Sequence, residues 1–493
     1  MKRLIVADSI RTPSGTSATG LLIDGGHVIE AGDAPSLGAS DTLEVHYPGS
    51  VVVPGLRDEH LHPLGLASSG VDLGGISSIR ELRELIAQTE GTIIGSGLDE
   101  HALSDDRFPT RHDLDDIDRP VLLYRVCGHI AVANTAALEA AGLDPATPDP
   151  RGGALDRDQN GAPTGILRET AIALVASRLE TAPVEPERLL ATLRHLVAFG
   201  ITSIGAVVTS AWSERIEPLI DLADDLPLRV HAIIELLDQA TIHALDHPRL
   251  VFGGVKVFAD GSLGGRTAAL REPYSDDPTT SGVLRLDPGD VMSRARIALD
   301  AGGIVAVHAI GDLAVDEVLN CFEVLIDDGA SSRHLRIEHA SITDDEQLRR
   351  MADLGVTACV QPAFVPSDGP WLSHRLGPDR ASLVYRFASM HGAGIPMCGG
   401  SDAPVESPDP FAGMAAARDR GGFHPEESLS AEQAFDLFTT NAAESLGEPV
   451  PLSSGAPADF TVIDRDPVLA SPDSLRHTRV LATWISGREV YHS

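Results

Sequence analysis

Two histidines at i and i+2, His60 and His62, stand in Val53-Pro54-Gly55-Leu56-Arg57-Asp58-Glu59-His60-Leu61-His62-Pro63. On a β-strand that spacing turns both imidazoles to one face, which suits a metal site with two adjacent ligands. Farther on, Lys256 interrupts the apolar run Gly253-Gly254-Val255-Lys256-Val257-Phe258. A charged amine buried there without a partner is costly, and burial lowers its pKa. A neutral amine can add CO2 to give a carbamate, an anionic ligand whose two oxygens can bridge two cations. Arginine cannot, because its guanidinium stays protonated. Of 38 basic residues only Lys2 and Lys256 are lysine, so an internal lysine in a chain that builds its cations from arginine asks for a specific reason. The plain alternative is a salt bridge from Lys256 to Asp260.

Two single histidines follow, His308 in Val305-Ala306-Val307-His308-Ala309 and His339 in Leu335-Arg336-Ile337-Glu338-His339-Ala340. Asp402 ends Ile395-Pro396-Met397-Cys398-Gly399-Gly400-Ser401-Asp402. Alone, each reads as a core histidine or a helix-capping aspartate. Together, with the two histidines on consecutive strands and Asp402 at the end of the last, they read as ligands. His231, earlier in its run Arg229-Val230-His231-Ala232, reads as structural.

The elements that must position these residues alternate in type. Strand-like runs at 56–62, 201–208, 228–235, 255–260, 304–309, 335–339, 356–361 and 395–400 are separated by helical patterns such as 187–199, 290–301 and 344–354. Strands alternating with helices imply a parallel sheet, and eight of them imply an α/β fold of the (β/α)8 TIM-barrel type. The candidate ligands then fall at the C-terminal ends of strands one, four, five, six and eight. Between the first two strands, about 70–192 is too long for one helix, and 93–98 and 121–126 are strand-like. This stretch reads as an insertion packed over the barrel mouth. Both ends of the chain are β-rich, with a hairpin at 20–32 and strands at 458–464 and 480–488. The expected organisation is a small β-sandwich from residues 1–53 and 451–493 around a barrel at 54–450.

The chain has 493 residues and a formal net charge of −34. That field repels nucleic acid and anionic membrane. No apolar run approaches the roughly 20 residues of a membrane helix. Asp8 follows the first apolar residues too soon for a signal peptide. Cys127, Cys321, Cys359 and Cys398 are far apart in apolar runs and read as reduced thiols of a cytoplasmic protein.

The ordered set HxH, K, H, H, D resembles the binuclear, carbamate-bridged site of the amidohydrolase superfamily. The stretches VVVPGLRDEHLHP, GVKVFADGSLGGRTA, VAVHAIGDLAVD, RIEHA and GGSDAPV are similar to the amidohydrolase-3 branch, which includes N-substituted formamide deformylase-like proteins. So are FPTRHDLDDIDRPVLLYRVCGHIAVANTAAL and GAPTGILRE within the insertion. Leu98 departs from the pattern, which has an aromatic there. The resemblance implies a metal-dependent hydrolase of a small molecule with a non-peptide C–N bond (amide, formamide or cyclic amide), attacked by a hydroxide shared between two metals. It assigns His60, His62 and Asp402 to one divalent ion, His308 and His339 to a second, and carbamylated Lys256 to both. Asp402 doubles as general acid and base. Zinc is the implied metal, with Mn, Fe or Co as alternatives. An esterase, lactonase or phosphotriesterase could use the same site, and a metal-free binding protein is the reading from another class. The resemblance also allows a homodimer. Asp260 and Glu338 are candidates to orient ligands, and His129 and Arg266 to contact substrate. Asn134 shares the insertion with His129, and Glu169 receives no role.

Overall fold

The computed structural model describes residues 2–493 other than 13, 14, 16, 39–41, 69, 101, 180–183 and 210–213. Its central sheet has a path of eight strands, numbered here β1 Leu56–Leu61, β2 Ile201–Val208, β3 Arg229–Ile234, β4 Leu250–Phe258, β5 Ile304–Ala309, β6 Leu335–His339, β7 Thr357–Val360 and β8 Met397–Gly399, with the short strand Asp246–His247 antiparallel to β4 off this path. Each pairs in parallel with the next, in chain order. The ring is drawn together just beyond β8, where Asp402 N donates to His60 O and His62 N donates to Ala403 O, both at 2.7 Å. Gly400 permits this approach, because a Cβ there would stand 2.7 Å from the Cβ of His60. The alternation of strands and helices expected from the sequence is thus a nearly closed parallel barrel.

Helices between the strands start and stop where their end residues can satisfy free backbone groups. The Asp287 carboxylate accepts from Gly289 N at 2.9 Å to open the helix Pro288–Asp300. Asp344 and Gln347 form a reciprocal cap on the helix Asp345–Leu354, which ends at Gly355 with φ +66°.

One irregularity in β4 decides where Lys256 points. Its pairing with β3 runs Ala232 to Phe252 and then Ile233 to Gly254, so Gly253 is an extra residue. An extra residue inverts the inside–outside phase of everything after it. Val255 and Val257 consequently pack in the core beneath the helices, with Val291 and Val318. Lys256 and Phe258 turn to the barrel's inner space. A side chain at Gly254 would meet Ile304 O at 2.2 Å, so the sheet requires glycine there.

All six residues of β1 are buried, four of them polar or charged. Buried charges persist only when paired. Arg57 Nε donates to Glu59 Oε1 at 2.7 Å, and Arg336 Nε donates to Glu338 Oε1 at 2.6 Å.

The insertion builds its own six-stranded sheet, in the order Gly153–Arg157, Pro163–Glu169, Ile130–Ala133, Val121–Arg125, Ile93–Leu98, Val71–Asp72. It has cores of its own around Leu167 and around Leu123. Leu98 is buried in the second of these. The terminal strands expected as a β-sandwich hydrogen-bond as one seven-stranded sheet drawn from both ends of the chain. Residues from both its wings share a core, among them Leu21, Val28, Phe460 and Trp484. The run 480–488 is not one strand. Ser486-Gly487 turns it into a hairpin of Val480–Ile485 and Arg488–His492, with Gly487 at φ +68°. Among the described residues no helix is long and apolar enough to cross a membrane.

Candidate metal centre

His60, His62, Lys256, His308, His339 and Asp402 all line one cavity at the C-terminal mouth of the barrel. Its volume is about 460 Å³, counting the part open to solvent. The strands set the order of the side chains. His60 and His308 are the second-last residues of β1 and β5, Lys256 lies two residues before the end of β4, and His339 ends β6. Asp402 follows β8 with φ +59°, and His339 has φ +73°. Conformations this rare at non-glycine residues concentrate at functional sites.

Outer partners fix which ring nitrogen each histidine offers. His60 Nδ1 donates to the buried Glu338 carboxylate. His62 Nδ1 donates to Glu214 Oε2 at 3.2 Å, and His339 Nδ1 to Gln361 Oε1 at 2.7 Å. These three therefore present Nε2 inward. His308 is turned the other way: its Nε2 donates to Gly261 O at 3.0 Å and lies 3.5 Å from Asp260 Oδ1, which leaves Nδ1. Metal-binding histidines are held in this manner, one nitrogen on a carboxylate or carbonyl and the other on the ion. His60 Nε2 and His62 Nε2 lie 3.3 and 3.4 Å from Asp402 Oδ1. Donor atoms of His60, His339 and Asp402 all fall within 4.8 Å of one another, so donors from β1, β6 and the end of β8 converge at one point of the cavity. The rings of His308 and His339 are 4.5 Å apart.

Lys256 is 1% exposed, and its Nζ stands 3.3 Å from His60 Nε2. Among the described residues no carboxylate forms an ion pair with it, and Asp260 is not its partner. Asp260 instead accepts from Ile310 N, Gly311 N and Ala269 N at 2.7 to 3.0 Å. Burial lowers the Lys256 pKa, against the pull of Glu338 and Asp402. Burial and the neighbouring imidazoles likewise hold His308 well below the usual histidine range. Burial pushes His339 down to about 3. Both shifts favour the neutral ring, the form that can bind a cation. His62 differs. Burial works to lower its pKa, but Glu214 and Asp402 outweigh burial and raise it to about 9. A divalent ion would take the place of that proton. Burial works to raise Asp402, yet the imidazoles of His60, His62 and His339 hold it well below the usual carboxylate range.

A model of the amidohydrolase family matches residues 48–491. The chain belongs to that family. It is 35% identical over 490 residues to YtcJ of Bacillus subtilis, covering 92% of this chain and 91% of that protein. It is 28% identical over 528 residues to the N-substituted formamide deformylase of Arthrobacter pascens, covering 98% and 97%. Among solved structures, an uncharacterized metal-dependent hydrolase from Pyrococcus furiosus superposes with a TM-score of 0.75 at 34% identity, over 95% of this chain and all of that one.

The remaining candidates divide. The insertion hairpin Val121–Arg125 to Ile130–Ala133 carries His129 at its tip, on the cavity wall. His129 Nδ1 donates to Glu169 Oε2 at 3.0 Å, and its ring lies 5.0 Å from that of His308. Glu169, given no role from sequence, is thus the anchor of His129. Glu338 and Asp260 contact His60 and His308, as orienting groups would. Arg266 is not brought to the cavity lining. Its guanidinium pairs with Asp276 at 2.8 Å, the loop salt bridge that competes with a substrate contact. Asn134 is structural: it caps the helix Thr135–Ala140 and ties Val121 N to the same side chain. His231 pairs with Glu448 at 2.7 Å, away from the cavity. Glu214, Gln361 and Arg285 went unread in the sequence. Glu214 and Arg285 lie 152 and 116 residues from their partners, Gln361 directly follows β7, the strand after that of His339, and no local spacing announces any of them.

Proposed function

We propose that this protein is a metal-dependent hydrolase that cleaves a non-peptide C–N bond in an amide, formamide or cyclic amide. Lys256 carries the proposal: a buried amine, paired with no described carboxylate, sharing a cavity with four histidines and Asp402. A carbamate on its Nζ would replace a costly buried cation with an anion that faces those donors. His60, His62 and Asp402 would hold one divalent ion, His308 and His339 a second, and the carbamate both. Imidazole and carboxylate donors suit zinc, and also Mn, Fe or Co. When bound there, the ions supply ionised water near neutral pH and polarise the scissile carbonyl.

The chain's own residues do the rest. Asp402, present as the carboxylate, takes a proton from the attacking water and delivers it to the leaving nitrogen. Glu338, Glu214 and Gln361 keep three imidazoles in a single orientation. The hairpin tip bearing His129 supplies part of the cavity wall beside His308.

Removing metal is the direct test. Protein expressed with added metal and bicarbonate should contain about two ions per chain by elemental analysis. A strong chelator should abolish turnover, and ions with bicarbonate should restore it. Less than about one ion per chain under those conditions would favour a binding protein instead. A panel of amides, lactones and phosphotriesters fixes the bond, since the same residues serve all three reactions. Glu214→Gln should keep the shape but remove the anion behind His62, and weaken metal affinity about 10- to 100-fold in chelator competition. An unchanged affinity would show that His62 needs no such support.

A further inference from the structure

We propose that the substrate carries a carboxylate, which Arg285 recognises inside the same cavity. The proposal rests on the hydrolase reading above and names the substrate class: amides bearing an acid group, such as N-acyl amino acids.

Arg285 lies on the loop after β4. Its main chain is pinned to the strand end, with Arg285 N donating to Ala259 O at 2.7 Å. Its aliphatic stem rests against Gly152 of the insertion, where a Cβ would stand 3.1 Å from Arg285 Cγ. The side chain is 11% exposed and lines the cavity. Its Cζ lies 4.8 Å from the centroid of Phe258, and Lys256 Nζ lies 5.1 Å from the same centroid. The guanidinium and the amine at the centre of the proposed chemistry therefore pack against one and the same ring, within the reach of a small acid.

What the guanidinium does with its donors decides the matter. Nη1 donates to Glu169 Oε2 at 2.9 Å. Nε and Nη2 donate to no described residue, and neither is among the sealed, unpartnered polar atoms. These two nitrogens form the edge of arginine whose parallel N–H bonds match a carboxylate. Glu169 does not cover that edge. Its buried carboxylate is shared between Arg285 and His129, and it sits so close to Gly261 that a Cβ there would lie 1.9 Å away. Glu169 thus holds the guanidinium in place from one side and leaves the other open. A half-satisfied guanidinium in a confined cavity gains most from an anion. In a chain of net charge −34 an open cationic edge beside the reaction centre runs against the general field.

The test compares N-formyl derivatives of alanine, leucine and phenylalanine with the matching carboxamides, which differ only in replacing the acid by a neutral amide. Metal-loaded wild type should prefer the acids by about 10- to 100-fold in kcat/KM. In Arg285→Gln that ratio should fall to about one, mainly through KM. Arg285→Lys keeps the charge without the paired nitrogens and should give an intermediate ratio. A wild-type ratio at or below one, or a ratio unchanged in Arg285→Gln, overturns the proposal. If wild type turns over neither set, metal content and the wider panel of bonds decide the hydrolase reading, and calorimetry decides the carboxylate site separately. N-formylphenylalanine should then bind wild type at least about tenfold more tightly than it binds Arg285→Gln, and equal binding refutes the site.

Discussion

Lys256→Ala protein should fold, emerge with little metal and show almost no turnover. Losing an outer partner of a ligand already costs about 10- to 100-fold in metal affinity, so losing the bridging ligand should cost more than that. Lys256 is buried against Phe258 and His60, and its removal leaves space where the carbamate oxygens would sit. A short carboxylic acid such as acetate or propionate can enter that space and offer two oxygens. Partial return of metal and activity with added acid, and none with added amine, is the signature of an oxygen bridge. Lys256→Arg should not respond to acid, since its guanidinium fills the space with a permanent cation. Full activity in Lys256→Ala without any added acid would refute the carbamate.

Asp402→Asn should keep its fold and lose about 10²- to 10⁴-fold in turnover, the range of a positioned proton carrier. The side chain is 13% exposed and lies within reach of both His60 and His62. An amide in its place can still accept contacts from both but cannot carry a proton. Metal content should be measured beside kcat, because weaker ion binding would lower activity by another route. Turnover unchanged at full metal loading would remove Asp402 from proton transfer. Glu338 is a useful contrast. It lies behind His60 with Arg336 and never faces the cavity, so Glu338→Gln should act through metal affinity.

The barrel was legible because its strands carry long apolar runs between well-capped helices. Eight runs and eight strands correspond, although the fourth strand, Leu250–Phe258, begins and ends earlier than the expected 255–260, and the helices 187–199, 290–301 and 344–354 match Pro186–Ala198, Pro288–Asp300 and Asp345–Leu354. The candidate metal donors were legible for a related reason: each sits at a strand end, where a repeating scaffold turns linear order into angular position. What was hidden depends on contacts across the sheet. The extra residue at Gly253, which aims Lys256 inward, shows only in the register with β3. Glu214 reaches His62 across 152 residues, and Arg285 reaches Glu169 across 116. The turn at Ser486-Gly487 was missed because apolar residues on its N-terminal side masked the break. Arg266 illustrates the opposite error of emphasis, since an arginine on a loop near the mouth is more simply used by Asp276 in the same loop.

The two halves of the cavity wall have different origins. His60, His62, Lys256, His308, His339 and Asp402 come from the barrel, whereas His129, Glu169 and Ile172 come from a module with separate cores. Changes far apart that share no neighbours add independently in their effect on stability. The hairpin tip does not meet that condition: the His129 ring lies 5.0 Å from that of His308 and its anchor Glu169 also holds Arg285, so substitutions there couple to the donors contributed by the barrel.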